Sequence, residues 1–263
     1  MPLKFYFQLT EYISLRLARK FIFNYKFLLK YGKYLPYFKV NINQEGASQL
    51  VDRYVELLKT HSADFFKLKD VRILEIGAGT TNTVGLLLAQ KLGSKVDVCD
   101  PFVIFDQIAN KKNITHYGIS DSAVSLVKRI DKPVEKEYDL IISNSVLEHV
   151  EDIDTFFKEM KQSLSANGKM LHIIDYQDHF FKYPYFFLMF SKKTWNTWLN
   201  PGDLYRWRLD DHLEAALKSK LTFDIIEINT LENQYKYIEK KIHIDFKTKK
   251  YNHVSTASII LNL

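Results

Sequence analysis

A doubly wound α/β sheet is the fold class that this 263-residue chain predicts, on three observations. Val71-Arg72-Ile73-Leu74-Glu75-Ile76 is an apolar, β-branched run that breaks into Gly77-Ala78-Gly79. Such a run suits a strand covered on both faces, and its glycines let the backbone come close to a ligand. After a helical pattern, Lys95-Val96-Asp97-Val98-Cys99-Asp100 reads as a second strand ending on an acid. Further strands, one beginning near Glu137 and leading to Ser143, Asn144 and Ser145 and one over 169–175, alternate with helical segments, as a parallel sheet requires.

The elements follow in order. Residues 1–45 form a basic amphipathic helical extension, and residues 46–263 a single catalytic domain that opens with a helix over Ala47 to Leu58. Thr80, Thr81 and Asn82 can cap the helix after the glycine loop, Val84 to Ala89 give it an apolar body, and Gly93 ends it. Ile114 to Tyr117 reads as the third strand, followed by a helix over Ser122 to Ile130. Phe156, Phe157, Met160 and Leu164 mark a helix before the fifth strand. An aromatic insertion, about 180–212, precedes a helix over Asp211 to Leu217. Phe223 to Ile228 and Ser255 to Leu263 close the sheet, with the basic stretch Lys236 to Tyr251 between them.

The glycine loop and Asp100 imply a nucleotide-like cofactor: the two carboxylate oxygens at the strand tip can accept both hydrogen bonds of a ribose diol. The sixth place of the dinucleotide fingerprint, which should be glycine to seat a pyrophosphate, is Asn82. Glu75-Ile76-Gly77-Ala78-Gly79 resembles the first motif of class I S-adenosylmethionine-dependent methyltransferases, and Asp100 stands where they bind the ribose. Glu137 to Val150, with its Leu147-Glu148-His149-Val150, resembles their fourth strand and following helix, and Lys169 to Asp175 their fifth strand. The likeness covers about residues 70–180. It implies a Rossmann-like seven-stranded sheet with an antiparallel C-terminal edge strand, and S-adenosyl-L-methionine held by Glu75, Gly77, Ala78, Gly79, Asp100 and Asn144. Asp121 is a candidate for the adenine amino group, or simply a helix cap. Thr81 departs from the glycine many relatives carry there.

Methyl transfer needs an acceptor aligned with the methyl group and, for a hydroxyl, a base. His172-Ile173-Ile174-Asp175-Tyr176-Gln177-Asp178-His179 ends the fifth strand; His179 is the candidate base, oriented by Asp178 or Asp175. His172 and His149 read as structural. The same loop is weak evidence for a cation, and no metal is expected. The stretch through Tyr205-Arg206-Trp207-Arg208 resembles a methyltransferase subgroup of bacterial surface polysaccharide and glycan biosynthesis. That likeness implies a sugar or other small or lipid-linked acceptor hydroxyl, with Arg206 or Arg208 for a phosphate or carboxylate. Trp195, Trp198 and Trp207 could stack on sugar rings or form the insertion's own core.

Residues 1–39 hold eight basic residues against Glu11 alone, while the whole chain is +6. On a helical wheel the basic residues 4, 16, 19, 20, 26, 30 and 33 share one half, opposite Phe7, Leu17, Phe21, Tyr25 and Leu28. This segment caps the cofactor site or makes peripheral contact with anionic membrane. Single Cys99 excludes an internal disulfide and suits a reducing cytoplasm. A nucleic-acid partner is not expected, since no Asn-Pro-Pro-Tyr-type motif follows the fourth strand. An NAD(P)-linked sugar-nucleotide oxidoreductase would show Tyr-x-x-x-Lys near the fifth strand, and the spacing occurs only at Tyr237 to Lys241. A non-catalytic membrane-associated protein on the same fold is the remaining alternative.

Overall fold

The computed structural model describes residues 3–23, 44–178, 182–202 and 204–263. Seven strands form one sheet in the order β3-β2-β1-β4-β5-β7-β6. They are β1 (Arg72–Ile76), β2 (Lys95–Cys99), β3 (Val127–Ile130), β4 (Tyr138–Asn144), β5 (Leu164–Asp175), β6 (Thr222–Thr230) and β7 (Val254–Asn262). The first five pair in parallel, with Ile73 between Val96 and Leu140, and the C-terminal strands are antiparallel. This is the Rossmann-like arrangement of the methyltransferase fold. The order reverses at β1, so β1 and β4 bring their carboxyl ends to the crevice where open sheets bind ligands.

The helices are α1 (Leu3–Phe21), α2 (Gln44–His61), α3 (Thr83–Leu92), α4 (Gln107–Tyr117), α5 (Asp121–Ser125), α6 (Ile153–Ser163), α7 (Leu209–Lys218) and α8 (Glu232–Ile238). One compact unit comprises residues 43–174, 213–227 and 258–263. Its core packs Val51, Tyr54 and Leu58 of α2 and Leu86 and Leu88 of α3 with Ile73, Val96, Leu140 and Leu171 of the sheet. The second unit comprises residues 1–42, 175–212 and 228–257, so the extension and the aromatic insertion share one core. That core gathers Phe5, Tyr12, Tyr183, Phe186, Phe187, Trp195, Leu199 and Ile238.

Two expectations are corrected. Residues 114–117 belong to α4, not to a strand: Asp106 accepts from the Ile108 and Ala109 N–H groups at its start, and left-handed Gly118 closes it. The third strand is Val127–Ile130, inside the stretch read as helix, while α5 is one short turn capped by Ser120. The wheel of α1 is also inverted. Arg16 and Arg19 are buried, whereas Phe7 and Phe21 face outward. The basic positions 26, 30 and 33 lie outside the described residues.

Candidate functional site

The loop after β1 turns on two left-handed glycines, Gly77 (φ +78°) and Gly79 (φ +70°). A Cβ at Gly77 would sit 2.3 Å from Val146 Cγ2, so only glycine fits, while the space beside Gly79 is open. Asp100, next after β2, accepts from the Gly79 N–H (2.9 Å) through Oδ2 and from the Phe102 N–H (3.1 Å) through Oδ1. Each oxygen keeps a lone pair that a diol can use.

A network that sequence reasoning missed braces this loop from β3 and α4. Arg129 donates to Gly79 O (2.9 Å) and Asn82 Oδ1 (3.0 Å), and its guanidinium lies 5.3 Å from the Phe105 ring. Asn82 N–H donates to Asn110 Oδ1 (2.8 Å), Asn113 Nδ2 to Thr83 Oγ1 (2.7 Å), and Asp106 N–H to Thr80 O (2.8 Å). The polar spacing Asn110, Asn113 within residues 107–117 was the available signal, hidden by reading that stretch partly as strand. Asp131, directly after β3, now occupies the carboxyl-edge position that the displaced third strand had given to Asp121; Asp121 instead starts α5.

Glu75, on β1, is buried and has Oε2 without a hydrogen-bond partner. Burial pushes its carboxyl up to about 8, against the lowering effects of the Gly85 N–H and the nearby Arg129. Gly85 lets it fit, since a Cβ there would meet Val98 Cγ1 at 2.5 Å and Glu75 Oε2 at 3.2 Å. The folded pKa lies above the unfolded value near 4.5, so the folded state binds the extra proton between those values. Stability therefore falls as pH rises through that window. Urea unfolding between pH 5 and 8 should show this slope flattened in Glu75→Gln; an equal slope in the variant contradicts the assignment.

At the carboxyl end of β4, Asn144 is half-buried, and Ser145 holds a left-handed backbone (φ +53°) with its N–H donated to Ile173 O (2.9 Å). Non-glycine residues adopt this conformation rarely and at a cost, which places local strain at the crevice. His172 is fully buried with Nδ1 2.7 Å from Ser143 Oγ, the expected core residue.

Within the second unit, Asp175 Oδ1 accepts from the Gln177 N–H (2.9 Å) and Gln177 Nε2 (3.0 Å). Asp178 is buried and accepts from Tyr12 Oη–H and from the Arg16 guanidinium, including Nε at 3.2 Å. Burial alone would lower the Arg16 pKa; the facing carboxylate overturns this and leaves it raised. The Asp178 carboxylate thus anchors α1, a structural engagement for one of the two proposed partners of a base. His179 lies outside the described residues, and among those described no three His, Cys, Asp or Glu side chains are grouped to hold a metal.

Arg206 and Arg208 are buried rather than presented to a ligand. Arg206 donates to Phe187 O (2.9 Å) and Phe190 O (2.7 Å); Arg208 donates to the carbonyls of Tyr176 (2.7 Å), Asn252 (3.0 Å) and Val254. Burial pushes both guanidiniums down to about 10, still charged at neutral pH. Arg206 braces the insertion internally and Arg208 ties it to Asn252 and Val254, structural tasks in place of the expected anion contact. Trp195 is enclosed too, with the Arg16 and Arg206 guanidiniums 4.7 and 5.0 Å from its ring, while Trp198 is exposed.

Residues 74–170 match the family described as a methyltransferase domain. A ubiquinone biosynthesis O-methyltransferase of Pelagibacter ubique is 29% identical over 148 residues, 53% of this chain and 55% of that protein. A malonyl-[acyl-carrier protein] O-methyltransferase of Ilyobacter polytropus is 28% identical over 139 residues, half of each. The chain thus spans about half the length of the curated relatives it matches. A solved structure assigned as a sarcosine dimethylglycine methyltransferase of Galdieria sulphuraria superposes with a TM-score of 0.50 at 14% identity, over 80% of this chain and 85% of that one, a likeness of fold alone.

Proposed function

We propose, for a chain that carries a class I methyltransferase domain, that it transfers the methyl group of S-adenosyl-L-methionine to a hydroxyl oxygen. The acceptor in this reading is a sugar or other small hydroxyl compound, glycan- or lipid-linked, met in the cytoplasm or at the inner face of an anionic membrane. The observation that carries it is the Gly77 to Gly79 loop closed on Asp100 at the switch point of the sheet. The names of the O-methyltransferase relatives support an oxygen acceptor.

The donor, when bound, supplies an electrophilic methyl group on a sulfonium. This chain's residues bind and orient it. Asp100 accepts from the ribose hydroxyls, the Gly77-Ala78-Gly79 backbone follows the cofactor without side-chain obstruction, Asn144 lines the crevice, and Asp131, in place of Asp121, meets the adenine amino group. Glu75, poised near neutral pH, sets the charge beneath the loop. His179 takes the acceptor proton, oriented by Asp175.

Arg129 positions the loop in this account. Arg129→Met should weaken S-adenosylhomocysteine binding about tenfold, the scale of one or two charge-assisted hydrogen bonds, and Arg129→Lys should recover part of it. Titration calorimetry reads both; equal affinity in wild type and the Met variant removes the role. The test of the reaction is transfer of a labelled methyl group to hydroxyl acceptors, with His179→Ala beside wild type. We expect a 100-fold or larger fall in kcat, within the range of a general base, at unchanged cofactor affinity. Equal loss of binding and transfer would remove His179 as the base.

A further inference from the structure

We propose that the outward face of α1, together with Trp198, is a docking surface for an anionic lipid bilayer. It deepens the membrane-side part of the proposed function, but its location rests on geometry alone. A helix on a water-exposed surface turns its charges outward and its apolar residues inward. Helix α1 departs from this on both faces. Arg16 and Arg19 face the core with Phe5 and Tyr12. The opposite stripe, at steps of four, three, four and seven residues along the helix, is Leu3, Phe7, Thr10, Ser14 and Phe21, flanked by Tyr6. Leu3 is 87% exposed, Phe7 72% and Phe21 61%. No residue of that stripe is charged, and Thr10 Oγ1–H already donates to Tyr6 O (2.9 Å), so little polar surface would be stripped of water by burial.

At the C-terminal end of α1, Lys20 Nζ donates to Asn196 O (2.7 Å) and Thr197 O (2.8 Å), seating the turn Trp195–Leu199 against it. That contact sets Trp198, 55% exposed, 6.3 Å from the Phe21 ring, with Ile22 exposed alongside. Side-by-side Trp and Phe rings with half-wet faces suit the headgroup level of a membrane. The charge is complementary to anionic lipid. Residues 12–39 and 192–202 contain no Asp or Glu, and Lys4, Lys192 and Lys193 are exposed. No described helix is long and apolar enough to cross a membrane, and α1, about 28 Å long, is suited to lying flat with this face in the interface.

The test is co-sedimentation of the full chain with phosphatidylcholine vesicles, with and without phosphatidylglycerol, for wild type, Phe7→Glu and Phe21→Glu. S-adenosylhomocysteine affinity and Tm are measured on the same samples. We expect binding to the anionic vesicles, weakened about tenfold or more by either substitution, the scale of withdrawing one aromatic side chain from burial. Trp198 emission should shift to the blue on binding. Tm and cofactor affinity should not change. The proposal is overturned by absence of binding to anionic vesicles, by binding that both variants retain, or by a wild-type dimer that the variants dissolve, which would assign the stripe to a second copy of the chain. A chain that binds vesicles but no S-adenosylhomocysteine would refute the methyltransferase reading and leave this one standing.

Discussion

Asp178→Ala lowers stability by about 3–5 kcal/mol, the cost of leaving one member of a buried ion pair without its partner. Asp178 and Arg16 have side chains with 0% and 1% of their surface exposed, and they are 162 residues apart in sequence. Their pairing is what lets a helix rich in arginine pack against an aromatic core. Removing the carboxylate takes the counter-charge from a guanidinium held on the Trp195 ring in a site nearly closed to water, and it also removes the carboxylate to which the buried Tyr12 hydroxyl donates. Burial first, then Asp178, holds the Tyr12 hydroxyl well above its usual range, so that hydroxyl remains a neutral donor at any ordinary pH. Replacing both charges, as Arg16→Met with Asp178→Leu, should recover most of the loss, because an apolar pair of similar volume is not charged for desolvation. Urea unfolding of the two single variants and the double variant checks this. Additive losses in the double variant would mean that the pair is not coupled.

Asp100→Ala is expected to reduce S-adenosylhomocysteine affinity 100-fold or more. Two losses combine. In the proposed binding mode the ribose would lose two bonds to a charged acceptor, each worth about 1.5–3 kcal/mol. The Gly79 and Phe102 N–H groups also lose the carboxylate that fixes the loop before any ligand arrives. Asp100→Asn keeps one acceptor oxygen and should fall between. Tm should move by only a few degrees, because Asp100 is half-exposed and makes its bonds to loop backbone rather than to the core. A large Tm loss at retained affinity would assign Asp100 a purely structural role.

The parallel core of the fold was legible because its strands are covered on both faces: β1, β2, β4 and β5 each hold a run of consecutive buried residues, most of them apolar. Edge strand β3 was not. Val127-Lys128-Arg129-Ile130 has only partial cover and carries two cations, so it lacks the apolar signature, whereas Ile114-Thr115-His116-Tyr117 has β-branched and aromatic residues that the Asp106 and Gly118 caps commit to a helix. That single displacement moved the edge acid from Asp131 to Asp121 and concealed Arg129. The glycine loop and Asp100 were readable because each directly follows a strand fixed in the sheet. Asp178, Arg206 and Arg208 were legible as polar candidates for the site but not as buried residues. Their partners, Arg16, Tyr12 and the carbonyls of Phe187, Phe190, Asn252 and Val254, are brought to them only by tertiary folding. In α1 the periodicity identified two faces, but periodicity carries no sign, and the ion pair with Asp178 decided which face turned inward.

On the proposed reading the loop closed on Asp100 holds a methyl donor rather than a dinucleotide. Calorimetric titration of the full chain with S-adenosylhomocysteine, with NAD and NADP run beside it, tests it most directly. The account predicts micromolar binding of S-adenosylhomocysteine alone. Binding of NAD or NADP with none of S-adenosylhomocysteine, or binding of none of the three, would contradict it.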